Sequence, residues 1–200
     1  MKVLGVDPGI ARTGVAVVEG KPGALRLLHA ECVETHAGEE TSARLALIFS
    51  ALERALRRHR PDEAAVEELF MASNRRSVML VGEARGVVLL ALARARVPIA
   101  AYTPLQVKEA VAGYGAASKP QVKRMIQALL GVEGIPGPDD VADACAVAVC
   151  HHHRARSPEH AGGSVNGAHR LPSARRGASP QLAAAIAAAQ GAALRARSVP

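Results

Sequence analysis

The sequence predicts an α/β protein with a mixed five-stranded sheet flanked by helices, and three observations lead there. Segments of strand and helix character come in the order βββαβαβ before further helices follow. Short turn-prone links join the first three strand segments as an antiparallel meander, whereas the later two alternate with helices, which makes the sheet mixed. Finally, 200 residues at 49% hydrophobic content bury a core large enough to fold unaided.

Each element has its own signal. Lys2 to Asp7 is apolar and β-branched, Gly14 to Glu19 follows the turn-prone Pro8-Gly9, and Leu25 to Val33 follows Lys21-Pro22-Gly23. Leu45, Ile48, Leu52 and Leu56 recur at helical spacing after a cap signal at Thr41-Ser42, and Arg60-Pro61 ends that run. Ala64-Ala65-Val66 forms a short strand leading into Glu67; Asn74 to Arg96 reads as a long helix and Pro98 to Tyr102 as a strand. Helices are predicted over Pro104 to Val111 and Ser118 to Leu130, and Pro138-Asp139-Asp140 opens a last one reaching about Cys150. The histidines His151-His152-His153 would then sit on a helix end, pointing in different directions at the surface.

Composition narrows the function. The longest apolar stretches, such as Val87 to Ala93, fall far short of the roughly 20 residues a spanning helix needs. Asp7 and Pro8 interrupt any secretory leader pattern, so the expected compartment is the cytoplasm. Cys32, Cys145 and Cys150 are odd in number and lack C-x-x-C pairing, which fits buried thiols rather than disulfides or a zinc site. The net charge of +7 is unevenly spread. Residues 154–200 hold seven arginines against Glu159 and are rich in alanine, glycine and proline, which sets them apart as a flexible tail behind a folded domain over 1–153. Within that domain, residues 84–132 carry seven basic residues against Glu109 alone. A basic middle between carboxylate-bearing ends can hold a polyanion beside metal ions, although ordinary solvated helix faces produce the same count.

The carboxylates are the informative residues. Asp7 closes the first strand and Glu67 another, so the two meet if those strands are neighbours. Asp140 and Asp143 lie three apart on a predicted helix and share a face. Several hard oxygen ligands so placed suit magnesium or manganese better than zinc. Duller roles exist for each: Asp139 or Asp140 can cap the helix behind Pro138, Glu67 and Glu68 can end an edge strand, and Asp7 can serve the turn.

Four stretches in order decide between these roles. Gly5-Val6-Asp7-Pro8-Gly9 with Thr13-Gly14, then Ala65-Val66-Glu67-Glu68-Leu69-Phe70-Met71-Ala72, Gln106-Val107-Lys108, and Asp140-Val141-Ala142-Asp143-Ala144 together resemble the RuvC family of Holliday-junction resolvases over about 1–153. The resemblance implies a ribonuclease-H-like fold, a homodimer, and paired symmetric nicking of four-way DNA junctions by two-metal hydrolysis that leaves 5′-phosphate and 3′-hydroxyl ends. It makes Asp7, Glu67, Asp140 and Asp143 metal ligands and catalytic residues, Lys119 a catalytic lysine, and Asp139 the helix cap, with the choice between the adjacent Asp139 and Asp140 as ligand resting on the motif register alone. It assigns DNA contacts to Phe70, Arg75, Arg76, Lys108, Lys119, Lys123 and Arg124, with Phe70 wedged at the crossover. It implies two Mg2+ ions per site, with Mn2+ as a substitute, and the RuvA–RuvB branch-migration complex as a partner. The long helix from Asn74, apolar over more than one face, is the candidate dimer interface, although complete burial inside one subunit would give the same pattern. Competing readings are a ribonuclease H acting on RNA–DNA hybrids, a catalytically silent junction-binding protein, and an actin-like kinase, which would need a second nucleotide domain.

Overall fold

The computed structural model describes residues 1–68 and 75–155, with the backbone alone at 75–77. The readings made for Phe70, Asn74, the side chains of Arg75 and Arg76, and the tail over 156–200 therefore lie outside the described residues. Within them the order is β1 (Lys2–Asp7), β2 (Arg12–Lys21), β3 (Ala24–Glu34), α1 (Thr41–His59), β4 (Glu63–Glu67), α2 (Arg75–Arg94), β5 (Ile99–Tyr102), α3 (Pro104–Ala112), α4 (Lys119–Leu130) and α5 (Asp139–Arg154).

The five strands form one sheet in the order β3-β2-β1-β4-β5. The meander β1–β2–β3 is antiparallel, and β1–β4 and β4–β5 are parallel. Alternation along β1 divides the core. Leu4 and Val6 pack with α1 and α2 residues such as Ile48, Leu52, Val88 and Leu92, whereas Val3 joins α3, α4 and α5 through Val107, Ile126 and Val147.

Two glycines set how closely α5 lies on the sheet. A Cβ on Gly5 would overlap the Ala144 carbonyl and come within 2.9 Å of Ala148 Cβ, and one on Gly14 would overlap the Asp140 carbonyl. Neither clash could be relieved by a rotamer change, since backbone atoms are involved. The helix is thus pressed against β1 and β2 where its acidic first turn begins.

Helix ends follow the sequence except at α1 and α5. Thr103 accepts from the Gln106 N–H at 3.3 Å, and Gly113 and Gly131 close α3 and α4 in left-handed conformation. For α1 the cap position is Glu40, not Thr41 or Ser42, and no side chain caps it. The last helix runs through Arg154, past the expected end at Cys150, and the predicted surface placement of its histidines is wrong for two of them. His151 and His152 are 3% and 1% exposed. Each has a partner that makes burial tolerable. His151 Nδ1 lies 2.8 Å from the Tyr102 hydroxyl and its Nε2 2.8 Å from Glu63 Oε2, while His152 Nε2 donates to the Val18 carbonyl at 3.1 Å. His153, half-buried, donates from Nδ1 to the Ala110 carbonyl at 2.9 Å, so the three rings do point apart. Cys145 and Cys150 are buried thiols and Cys32 is half-buried. Among the described residues no helix is long and apolar enough to cross a membrane.

Candidate active site

Asp7 ends β1 opposite Gly14, and the loop after it is tied down residue by residue. The Thr13 hydroxyl donates to the Gly9 carbonyl at 2.7 Å, the Thr35 hydroxyl to Ile10 at 2.5 Å, and the Thr35 N–H to Ala11 at 3.0 Å. Behind them Arg44, 7% exposed on α1, donates from Nε to the Thr35 hydroxyl at 2.8 Å. Glu67 ends β4, one step beyond the parallel pair Val6 and Val66. Neighbouring strands therefore bring the two acids together, as expected from their positions at strand ends.

The Asp7 and Glu67 carboxyl groups are hydrogen-bonded, which requires a shared proton. Burial pushes Asp7 up to about 6; the bond to Glu67 opposes this, and the charges of Asp143 and Asp140 add to it. Burial, and then the Asp7 charge, push Glu67 up to about 8. The pair as a whole retains a proton near neutrality.

Two acids of α5, Asp140 and Asp143, act on this pair and Asp139 lies outside it, and each of the three is matched by a cation. Asp140 Oδ2 lies 3.0 Å from Arg12 Nε, Asp143 Oδ2 accepts from Lys119 Nζ at 3.0 Å, and Asp139 Oδ1 accepts from Lys123 Nζ at 3.0 Å. Asp143 holds the Lys119 ammonium above its ordinary pKa, and Lys123 draws Asp139 below the usual carboxylate range. Asp139 is not the helix cap. Pro138 occupies that position, no side chain caps the helix, and the Asp139 carboxylate faces outward to Lys123. Lys119, Lys123, Asp139 and Asp143 also line a groove of about 240 Å³ between α4 and α5.

Of the expected site residues, then, Asp7 and Glu67 meet directly, the charges of Asp140 and Asp143 act on them, and Lys119 joins through Asp143, with Lys123 one turn further along α4. Lys108 is half-buried on α3 and Arg124 exposed on α4; neither has an ion pair with the cluster among the described residues. The residue that sequence reasoning missed is Arg12. Its only signal is a position two residues before Gly14, and its partner lies 128 positions away.

Among the described residues no three Asp, Glu, His or Cys side chains stand close enough to form a ready coordination shell. The ion pairs explain this: Asp140 and Asp143 are turned onto cations, and Asp7 and Glu67 onto each other. The donor chemistry still fits a hard divalent cation, since the charges of Asp140 and Asp143 reach Asp7, that of Asp143 reaches Glu67, and all four give only oxygen ligands.

Comparison with known proteins decides the family. The family described as "Crossover junction endodeoxyribonuclease RuvC" matches residues 3–151. The chain belongs to the RuvC family. A RuvC relative from Moorella thermoacetica is 53% identical over 151 residues, covering 76% of this chain and 90% of its own length. One from Chloroflexus aurantiacus is 48% identical and covers 78% and 94%. A solved Thermus thermophilus RuvC in complex with Holliday junction substrate superposes with a TM-score of 0.75 at 42% identity, covering 78% of this chain and 95% of that one. The yeast mitochondrial Holliday junction resolvase, at 14% identity and a TM-score of 0.57, shares the fold. The mixed sheet is thus the ribonuclease-H-like sheet of the junction resolvases, and RuvC enzymes are metal-dependent endonucleases.

Proposed function

We propose that this chain resolves four-way DNA junctions in recombination and repair by nicking two strands of like polarity at symmetric positions, leaving 5′-phosphate and 3′-hydroxyl ends. The observation that carries the reading is the Asp7–Glu67 pair at the ends of β1 and β4, acted on by the charges of Asp140 and Asp143, with Lys119 on Asp143. The substrate comes from the relatives, one of which was solved with a Holliday junction.

The four carboxylates would hold magnesium, two ions per site, with manganese as the substitute; bound there, the metal supplies Lewis-acid activation of water and neutralises charge on the leaving oxygen. The residues' own work is distinct. Asp7 and Glu67 release their shared proton to present charged oxygens. Lys119 keeps Asp143 in place through one N–H and has two more to set against a phosphate oxygen. Lys123 and Arg124 continue the basic line along α4, and Lys108, Arg75, Arg76 and Phe70 complete the grip on the junction.

Two-fold symmetry of the substrate calls for two sites, hence a homodimer. Helix α2 offers the surface: Met79 is 68% and Leu90 54% exposed, and at Gly82 and Gly86 between them a Cβ would meet nothing. In this reading the protein works in the cytoplasm and receives junctions from the RuvA–RuvB complex.

The test is cleavage of a mobile four-way junction beside linear duplex and RNA–DNA hybrid, with magnesium, manganese or chelator, for wild type and Asp7→Asn. Paired nicks in the junction alone, lost in chelator and in the variant, are expected. Preferential hybrid cutting, or junction binding without cleavage in either metal, would reject the reading.

A further inference from the structure

We infer that Arg12 competes with the metal for Asp140, so that its guanidinium must be displaced before the site loads. This rests on the metal-dependent reading above and extends it to a residue outside the carboxylate set.

Arg12 opens β2 two residues before Gly14, whose missing side chain seats Asp140 against the sheet. Its Nε lies 3.0 Å from Asp140 Oδ2, yet its side chain is 54% exposed. Among the described residues the contact is an ion pair without an aligned hydrogen bond, unlike the Lys119–Asp143 contact. Arg44 shows what a structural arginine looks like in this fold: 7% exposed, with Nε hydrogen-bonded to Thr35. Arg12 is instead a charge held at the carboxylate by Coulomb attraction, where it offsets the mutual repulsion of Asp140 and Asp7. A divalent cation would relieve that repulsion more strongly, and the oxygen now facing Arg12 is one it would use. If Arg12 only oriented Asp140 as a ligand, its removal would weaken metal binding. Competition predicts the opposite sign.

The experiment titrates the full-length protein, without DNA, with Mn2+ and reads the free ion by electron paramagnetic resonance. Arg12→Gln is expected to bind Mn2+ about two- to fivefold more tightly than wild type, the scale of an exposed ion pair, with the gap narrowing at high salt. Arg12→Lys should stay near wild type. Lys123→Gln removes an equal charge from Asp139 and should shift affinity much less. Unchanged or weaker binding by Arg12→Gln, or equal tightening by Lys123→Gln, overturns the inference. Junction cleavage by wild type in the same buffer reports on the underlying reading separately: a protein that cuts junctions while Arg12→Gln binds no tighter refutes Arg12 alone. Wild type that takes up no Mn2+ overturns the inference, and wild type that also cuts no junction refutes both.

Discussion

The paired carboxyl groups of Asp7 and Glu67 make a prediction about stability that is separate from catalysis. Burial raises Asp7 from 3.8 to about 6, so the folded chain keeps a proton there that the unfolded chain gives up. For such a group, stability is fullest at low pH and falls as pH rises from about 4 through 6; Glu67, raised to about 8, extends the loss to that value. Asparagine at position 7 has no proton to lose and can still donate to Glu67. About two pKa units at 1.36 kcal/mol each place the gain for Asp7→Asn at about 2 to 3 kcal/mol in chelator at pH 8. For a domain of this size that is a rise of about 4 to 12 °C in Tm. Thermal melts of both proteins across pH 5 to 8.5, with EDTA and with Mg2+, measure it. The gap should widen with pH in EDTA, and Mg2+ should close or reverse it, since only wild type gains from binding. A variant no more stable than wild type at pH 8 in EDTA, or a gap independent of pH, would refute the shared-proton argument.

Four further outcomes are expected. Gly14→Ala drives a Cβ into the Asp140 carbonyl, so it should cost about 1 to 3 kcal/mol and lower junction cleavage about 100-fold, and wild-type turnover would contradict the close crossing of α5. Leu90→Glu on the exposed face of α2 should give monomers in light scattering, and a persistent dimer would remove that helix from the interface. Phe70→Ala should keep Mn2+ affinity and lose about tenfold or more in junction cleavage, the scale of one stacked base, whereas unchanged cleavage would dispose of the wedge. Deleting residues 156–200 removes six arginines and one glutamate, so the salt dependence of DNA affinity should flatten, and identical affinity at every salt concentration would show that the tail plays no part.

The sheet was legible because its signals are local: turn residues between short apolar runs, and helical spacing between the parallel strands. Asp7 and Glu67 were legible for the same reason, as each ends a strand and the strand order makes them neighbours. Asp140 and Asp143 share a helix face by spacing alone. What escaped was long-range pairing. The burial of His151 depends on Tyr102 and Glu63 arriving from two other strands, and polar residues at a helix end read as solvated until those partners are in place. Asp139 behind a proline looks like a cap, and only the position of α4 shows that Lys123 claims it. Arg12 has no periodicity to mark it, since its role exists only because Gly14 lets another helix come close.

The tie from His151 to both Glu63 and Tyr102 also bears on how a junction can be gripped. Helix α5 is held along its length: its acidic turn by Lys119 and by the close crossing at Gly14, its far end by the bonds of His151 to Glu63 and Tyr102, and its middle by the close crossing at Gly5. A helix held in this way would keep its acids in place rather than follow a bound strand. In the proposed function the strain of bringing a phosphate onto the acids would then fall on the DNA, favouring a crossover whose strands are already unstacked over a stiff linear duplex that would have to be bent. Selectivity for branched DNA would then come in part from the rigidity of one helix, without any residue reading the branch point itself.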